Sequence, residues 1–491
     1  MKSTHSISAA HLFLGFTLSF LLVPGLLNAQ YAEDVLRLST FNMGIGARSA
    51  GMGNTSVGLA DDFSALFTNP AGLASLRSFE FSAGLSNVGY NNDATFFGTM
   101  YNASSRVTNL NNLGLVYPVP TTRGSLSFAF GFARVANYST TASFKGFNPS
   151  SSIVEALTPG IDFRGLSADD IKSLLDNNIP YKLGLAGKDS LGLFPLVTDS
   201  VQQESSVMEG GGLNSWSFGG AIEMAKGFTL GVGINILSGS YTYDRVFTET
   251  DARNVYRAWP YDFNRFRYES SVTSDISGYN VLIGMMYRKQ GRYKIGFTVK
   301  TPTYYDISEN FSDAGESWFK NGDYVQKKNP GSTKYTIKTP PVLSAGASVQ
   351  ASDWLLLAGD AEYVDWTQME FTNDNPDLMD ENRVIRDAFR ATTNLRGGAE
   401  FSLLNQGIRL RGGVVYNPSP YKGDPSSRDQ IYYTAGIGAT VDENVFVNAS
   451  LAFGKWNTLR DNYYLSGMDT PSRTAEAVNT STLNITLTYR F

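Results

Sequence analysis

The sequence predicts an all-β chain: a 14-stranded antiparallel transmembrane β-barrel plugged by a small N-terminal hatch. Three observations predict it. Stretches of strict period-two alternation recur along most of the chain and run to Phe491. The connections between these stretches alternate between short and long. A glycine-rich, partly apolar segment, residues 30–77, precedes the first strand and is too small to build a core of its own.

The ends set the compartment. Lys2, the apolar run "LFLGFTLSFLLV" (12–23), the Pro24-Gly25 break and "LNA" before Gln30 form an export signal, with cleavage expected after Ala29. The apolar run is shorter than the ~20 residues a spanning helix needs. Cleavage leaves 462 of 491 residues. The mature chain has no cysteine, and both histidines, His5 and His11, lie in the signal. Disulfides, thiolate chemistry, histidine triads and the usual zinc sites are therefore excluded, and no cofactor or metal is expected. Losing Lys2 leaves 39 basic against 45 acidic residues, a net charge of −6, with no basic cluster to bind nucleic acid.

The strands follow one rule. "STLNITLTYRF" sets Leu483, Ile485, Leu487, Tyr489 and Phe491 against Thr482, Asn484, Thr486, Thr488 and Arg490. An aromatic terminal residue on such a strand resembles the last strand of bacterial outer-membrane barrels, which the barrel-assembly machinery reads. "SLSFAFGFA" (125–133), "FTLGVGINI" (228–236), "YKIGFTVK" (293–300), "GIRLRGGVVYN" (407–417) and "NVFVNASLAFG" (444–454) repeat the pattern. Apolar residues on one face and Gly, Ser, Thr, Asn and occasional charges on the other fit a barrel in lipid.

Short connections fall at 118–124, 225–227, 289–292, 350–353, 404–406 and 441–444. Long ones are expected at 89–107, 137–213, 241–269, 306–334, 367–390, 418–429 and 455–478. Thirteen alternating connections give fourteen strands, with short periplasmic turns and long extracellular loops. A large soluble β-protein would not alternate loop length so regularly. The division expected is a signal at 1–29, a hatch at 30–77 and a barrel at 78–491.

Within the hatch, "GLADDFSAL" reads as a short helix, with Asp61 and Asp62 at its start and Phe63, Leu66 and Phe67 at helical spacing. Asn69-Pro70 then turns the chain. The wording "YAEDVLRLS … GARSAGMGNTSVGLADDFSALFTNPAGLASL", followed by fourteen strands, resembles the outer-membrane long-chain fatty acid transporter family (FadL-type), whose relatives include aromatic-hydrocarbon transporters. Asn69, Pro70 and Ala71 carry the most specific part of the likeness.

The resemblance implies a Gram-negative outer-membrane location and a non-enzymatic channel. It implies that a hydrophobic small molecule or fatty acid lands on an apolar groove of the extracellular loops. The ligand then moves to a pocket inside the barrel and leaves past a hatch, either by a lateral route at a kink in the wall or into the periplasm. An apolar-lined conduit would spare such a molecule the cost of water. Outer-membrane lipid and lipopolysaccharide are the expected surroundings, and a monomer the expected state. A different reading from the same resemblance is an accessory barrel that docks exported proteins, as in type IX secretion.

The candidate sites follow. Asn69, Pro70 and Ala71 are candidates for gating. Phe63, Leu66 and Phe67 could line a pocket or simply pack the hatch against the wall. "LSADDIKSLLDNNI" (166–179) predicts a helix capped by Ser167 and Asp170. Its Ile171, Leu174 and Leu175, with Phe163, Leu193 and Phe194, are candidates for an extracellular groove or for a self-packed loop. Glu80, Glu223, Arg396, Glu400, Arg409 and Arg411 are placed on the inner face, either to contact a substrate head group or to form ion pairs that hold the hatch, with Arg48, Asp61 and Asp62 as candidate partners. The acidic stretch 372–383 lacks the glycine of a calcium loop and is read as a solvated loop.

Overall fold

The computed structural model describes residues 28–40, 44–158, 162–257, 262–289, 292–373, 376–403, 407–465 and 471–491. The expected signal, up to residue 27, and the 404–406 connection lie outside the described residues. Among the described residues no helix is long and apolar enough to cross a membrane.

Fourteen strand positions make the wall. They are β1 (Glu80–Phe96), β2 (Thr99–Val119), β3 (Leu126–Asn137, continued by Thr140–Asn148), β4 (Val201–Ala225) and β5 (Phe228–Thr250). Then come β6 (Phe263–Lys289), β7 (Tyr293–Lys300, continued by Tyr304–Phe319), β8 (Tyr324–Lys338, continued by Val342–Ser352) and β9 (Leu355–Asp365). The last are β10 (Ala391–Leu403), β11 (Ile408–Asn417), β12 (Gln430–Asp442), β13 (Val445–Tyr463) and β14 (Ser472–Arg490). Each pairs antiparallel with the next, and β14 pairs with β1 from Glu80↔Arg490 to Thr95↔Ala475. The sheet is therefore a closed 14-stranded barrel, as the alternating connections predict.

The faces follow the period-two rule. Phe130, Trp216, Ile234, Ile283, Leu451 and Ile485 are exposed on the outside, where lipid would cover them. Neighbouring rings stack across strands there, with Phe130 and Trp216 5.7 Å apart.

The long connections are shorter than expected. β1 and β2 continue as a ladder through 89–107, closed by Phe97 and Gly98, both at positive φ (44° and 78°) as a tight hairpin turn requires. The stretches 241–269, 306–334 and 455–478 are likewise mostly strand. Strands of up to 27 residues far exceed the ~10 that cross a bilayer. In these upper stretches the outward phase turns polar, as at Thr248, Arg265 and Arg267, while the inward phase mixes Phe247 and Phe266 with Arg245 and Glu249. The alternation that marks a strand in sequence therefore weakens while its hydrogen bonds continue. The acidic stretch also differs: Pro376–Ala388 is a helix.

Prolines interrupt two adjacent strands at one level. β7 breaks at Thr301-Pro302-Thr303 and β8 at Thr339-Pro340-Pro341, because proline cannot donate to a ladder. Threonine closes the break: Thr303 N donates to Thr339 Oγ1 (2.9 Å), and Thr339 N donates to Thr303 O (3.0 Å).

Candidate functional site

Residues 44–76 lie inside the barrel, against its inner face. The short helices are Ala47–Gly51 and Ala65–Thr68, and a 3-10 helix spans Pro70–Ser75. The helix expected over 58–66 is reduced to one turn, Ala65–Thr68. Asp62 Oδ1 accepts the N–H of Ser64 (2.9 Å), a local bond that competes with an earlier helix start. Pro70 turns the chain, as expected, and then begins a new helix at its first position.

Asn69 is fully buried. Its Nδ2 donates to Val57 O (2.8 Å) and to Met285 O (3.2 Å) of the wall, while its Oδ1 accepts Ala71 N (3.2 Å). The wall makes room for it with glycine. A Cβ on Gly284 would lie 2.1 Å from Asn69 Oδ1, and one on Gly296 would lie 2.7 Å from its Nδ2. Phe63 is seated the same way, with Cβ positions on Gly114 and Gly131 falling 2.1 and 2.3 Å from its ring. The glycine-rich inner face is thus the socket of the lumenal segment.

Charge fixes the segment further. Glu400 on β10 accepts Arg48 Nε (3.0 Å) and Arg411 Nε (2.7 Å). Arg48 also pairs with Asp61, which takes Lys294 Nζ of β7 at 3.1 Å. Burial alone would raise the Asp61 carboxyl, but Arg48 and Lys294 outweigh it and hold it well below the usual carboxylate range. Glu80 accepts Phe63 N (2.9 Å) and pairs with Arg490 Nε (2.9 Å).

The other expected partners stay within or at the edge of the wall. Arg396 pairs with Glu362 (2.9 Å), and Glu223 lies 3.8 Å from Arg77. Arg409 forms no ion pair among the described residues. Asp360 and Lys294 were not singled out from the sequence. Asp360 accepts the backbone N–H groups of Ser56 (2.6 Å) and Val57 (2.8 Å). The signal available for both was a charge on the inward phase of an alternating strand.

Above this segment lies a cavity of about 1100 Å³. Phe67 and Thr68 reach it. Phe63 and Leu66 do not line it: they are buried with Leu73, Val116 and Met286 between segment and wall. Of the three candidate pocket residues only Phe67 is placed to meet a ligand there. The helix Asn28–Ser39 enters the upper lumen, where Val35 and Leu38 pack with Tyr138, Tyr305, Trp366 and Phe389. Arg37 sits 4.0 Å over the Tyr241 ring.

The cavity is not an apolar tube. Val88, Leu237, Leu282 and Val364 line it, but so do Ser86, Asn109, Asn235, Asn280, Asn394 and Asn484. Its charges include the pairs Arg460–Glu476 (2.6 Å), Arg460–Glu209 (3.5 Å) and Arg473–Asp461 (2.5 Å). The expectation of an apolar-lined conduit is corrected to a mixed lining.

One side of the wall is interrupted. β2 pairs with β3 only from Asn112↔Ala133 to Val119↔Leu126. Above that, β3 shifts register at Arg134/Ala136, breaks at Tyr138-Ser139 and continues paired with β4 alone. The continued strand packs inward, with Phe144 against Phe96 (4.4 Å) and Thr141 O accepting Asn92 Nδ2 (3.2 Å). From Thr99 to Asn111 the side of β2 facing β3 has no ladder partner among the described residues. Arg134, Ala136 and Tyr138, beside this gap, also line the cavity.

In the long segment between β3 and β4, the Ser167–Asp170 capping box and the helix Ala168–Asn177 form as predicted. Leu175 and Leu193 are buried, Phe163, Ile171 and Leu174 half-buried, and Phe194 exposed. Neighbouring Ile179, Leu183, Leu185 and Val197 pack with Phe96, Phe144, Phe247 and Phe263 of the strand tops.

No protein-family model and no curated protein matches the chain. Solved structures do. The P. putida toluene transporter TodX aligns over 91% of this chain and 99% of its own, at 13% identity and a TM-score of 0.56. A Pseudomonas aeruginosa FadL homologue aligns over 92% and 100%, at 12% identity and a TM-score of 0.57. The monoaromatic hydrocarbon channel CymD aligns over 92% and 99%, at 15% identity and a TM-score of 0.51. The fold of this chain is similar to that of FadL-type transporters over nearly its whole length.

Proposed function

We propose that this barrel, with the fold of the FadL-type transporters, is an outer-membrane channel for passive uptake of hydrophobic or amphiphilic small molecules. The observation that carries the reading is the 1100 Å³ cavity between the extracellular rim and the lumenal segment, in a closed wall of outward apolar face. In this reading residues 30–77 act as a hatch, with Asn69, Pro70 and Ala71 at its seat on the wall. The extracellular segment around Phe163, Ile171, Leu174, Leu175, Leu193 and Phe194 captures the ligand first. The gap between β2 and β3 is the lateral exit, because cavity-lining residues border it. No energy source is required, since flow is down a gradient. The test is uptake of radiolabelled toluene or a long-chain fatty acid by cells lacking their own channel for such compounds. A several-fold gain in rate on producing the barrel is expected, and no gain rejects the reading.

A second reading, an accessory barrel that docks exported proteins, draws on the height of the strands above the lipid. It predicts that loss of the barrel impairs protein export while uptake is unchanged.

A further inference from the structure

The cavity carries a polar row that a hydrocarbon would leave unused. Asn109 on β2, Ser86 on β1 and Asn484 on β14 stand side by side in the ladder, and all three line the cavity. Asn484 is only 1% exposed, yet neither atom of its amide has a partner. Asn109 Nδ2 has none either. Single atoms elsewhere on the lining, such as Asn417 Oδ1 and Tyr138 Oη, also lack a partner. Among the described residues, however, only Asn484 has both atoms of its amide unpaired, and other amides of the lining are satisfied within the chain. Asn235 Nδ2 donates to Asn280 Oδ1 (2.7 Å), and Asn280 Nδ2 donates to Thr303 Oγ1 (2.9 Å). Buried polar atoms are normally paired, so an unpaired set facing a cavity calls for an occupant.

The chemistry of the row narrows that occupant. Its unmatched atoms are two amide donors and one carbonyl acceptor. A hydroxyl or amide supplies both complements at once. A carboxylate supplies acceptors only, and no cation belongs to the row. A hydrocarbon supplies nothing and would leave the amides desolvated. The next row along the same strands is Val107, Val88 and Thr482, and Val88 lines the cavity. Val88, flanked by Thr482 on the lining, thus lies beside the polar row, with Leu237, Leu282 and Val364 elsewhere on the lining.

We propose that the ligand of this cavity is a neutral amphiphile whose hydroxyl- or amide-bearing head sits on Asn109, Ser86 and Asn484. Its apolar part lies along Val88. This rests on the reading of the barrel as a channel and names the substrate class within it.

The test uses the full barrel in lipid nanodiscs, with empty nanodiscs as the blank. Tryptophan emission, reported by Trp366 and Trp456 in the cavity lining, is titrated with octyl glucoside below its micellar concentration, with octanoate and with toluene. Octyl glucoside is expected to bind about tenfold tighter than either of the others. Asn484→Leu is expected to remove that preference while leaving toluene binding intact. Asn109→Leu, on another strand, reads the same preference independently, and heat-modifiable migration checks folding of both. Equal or tighter binding of octanoate or toluene by the unaltered barrel overturns the proposal, whatever the variants do. So does an unchanged glucoside preference in both folded variants. A barrel that takes up toluene without preferring the glucoside overturns this inference alone. A barrel that neither binds nor passes any of the three probes overturns the channel reading with it.

Discussion

The carboxylate of Asp360 on β9 accepts the backbone N–H of Val57 at 2.8 Å, and that of Ser56 at 2.6 Å, so one wall side chain anchors a turn of the lumenal segment. Hydrogen bonds to a charged group contribute about 1.5–3 kcal/mol each. Asp360→Ala should free residues 52–60 while leaving the barrel heat-modifiable. Raised small-ion conductance in planar bilayers is the expected reading, and wild-type conductance would remove the anchoring role.

Glu400 holds two arginines. Glu400→Gln leaves Arg48 and Arg411 facing each other without the carboxylate between them. Removing one partner of a buried ionic group costs about 3–5 kcal/mol. Limited trypsin digestion should then cut within 44–77, where the wild type resists. The doubly neutral variant Arg48→Met with Glu400→Gln should be less harmed than Glu400→Gln alone.

Asp61 predicts a pH dependence. Its carboxyl is held below the ordinary value by Arg48 and Lys294. A depressed folded value stabilises above the unfolded value of about 3.9, and the contribution is lost as pH falls toward the folded value. Conductance should stay low from neutral pH to about pH 4 and rise only below it. Asp61→Asn should show a higher baseline and a smaller acid-induced rise.

Phe63 and Gly131 predict a size exchange. A Cβ on Gly131 falls 2.3 Å from the Phe63 ring. Gly131→Ala should cost about 1–3 kcal/mol by overpacking, and Phe63→Ala about 3–5 kcal/mol by leaving a cavity. The pair should cost less than the sum, because each change relieves the other. Urea unfolding of the four proteins measures it, and strict additivity would show that the ring does not sit in that socket.

Asn69 makes three bonds that tie the 3-10 helix to Val57 and to the wall at Met285. Asn69→Ala together with Pro70→Ala should alter the uptake rate of a hydrophobic probe at least twofold with barrel folding unchanged, since each lost bond is worth about 1 kcal/mol. Normal uptake would leave this turn a structural element only.

Much of the fold was legible because period two is a local property. Leu483, Ile485 and Leu487 announce their strand without reference to any other part of the chain. The inner phase was equally plain, and Glu80, Glu400 and Arg411 are buried on the lumenal side as that phase requires. The partners of those charges were less legible. Arg48 finds Glu400 across 352 positions of sequence. Arg409, of the same type and on the same strand as Arg411, forms no ion pair among the described residues, because two residues along a strand is a different level of the lumen. The tall hairpins resemble loops in sequence because their outward phase is polar and their inward phase mixes aromatic with charged residues, as Phe247 beside Arg245 and Glu249 does.

By itself, the sequence determined the strand count, the apolar outward face of the strands, the capping box at Ser167 and the turn at Asn69-Pro70. All of these are set by neighbours within a few residues. Only the tertiary structure decided that Phe63 and Leu66 serve packing while Phe67 reaches the cavity. It alone placed the gap where β3 leaves β2, and it alone aligned Asn109, Ser86 and Asn484 in one row. Register between strands and the satisfaction of buried amides depend on residues distant in the chain meeting at one level of the barrel. No local pattern carries that information.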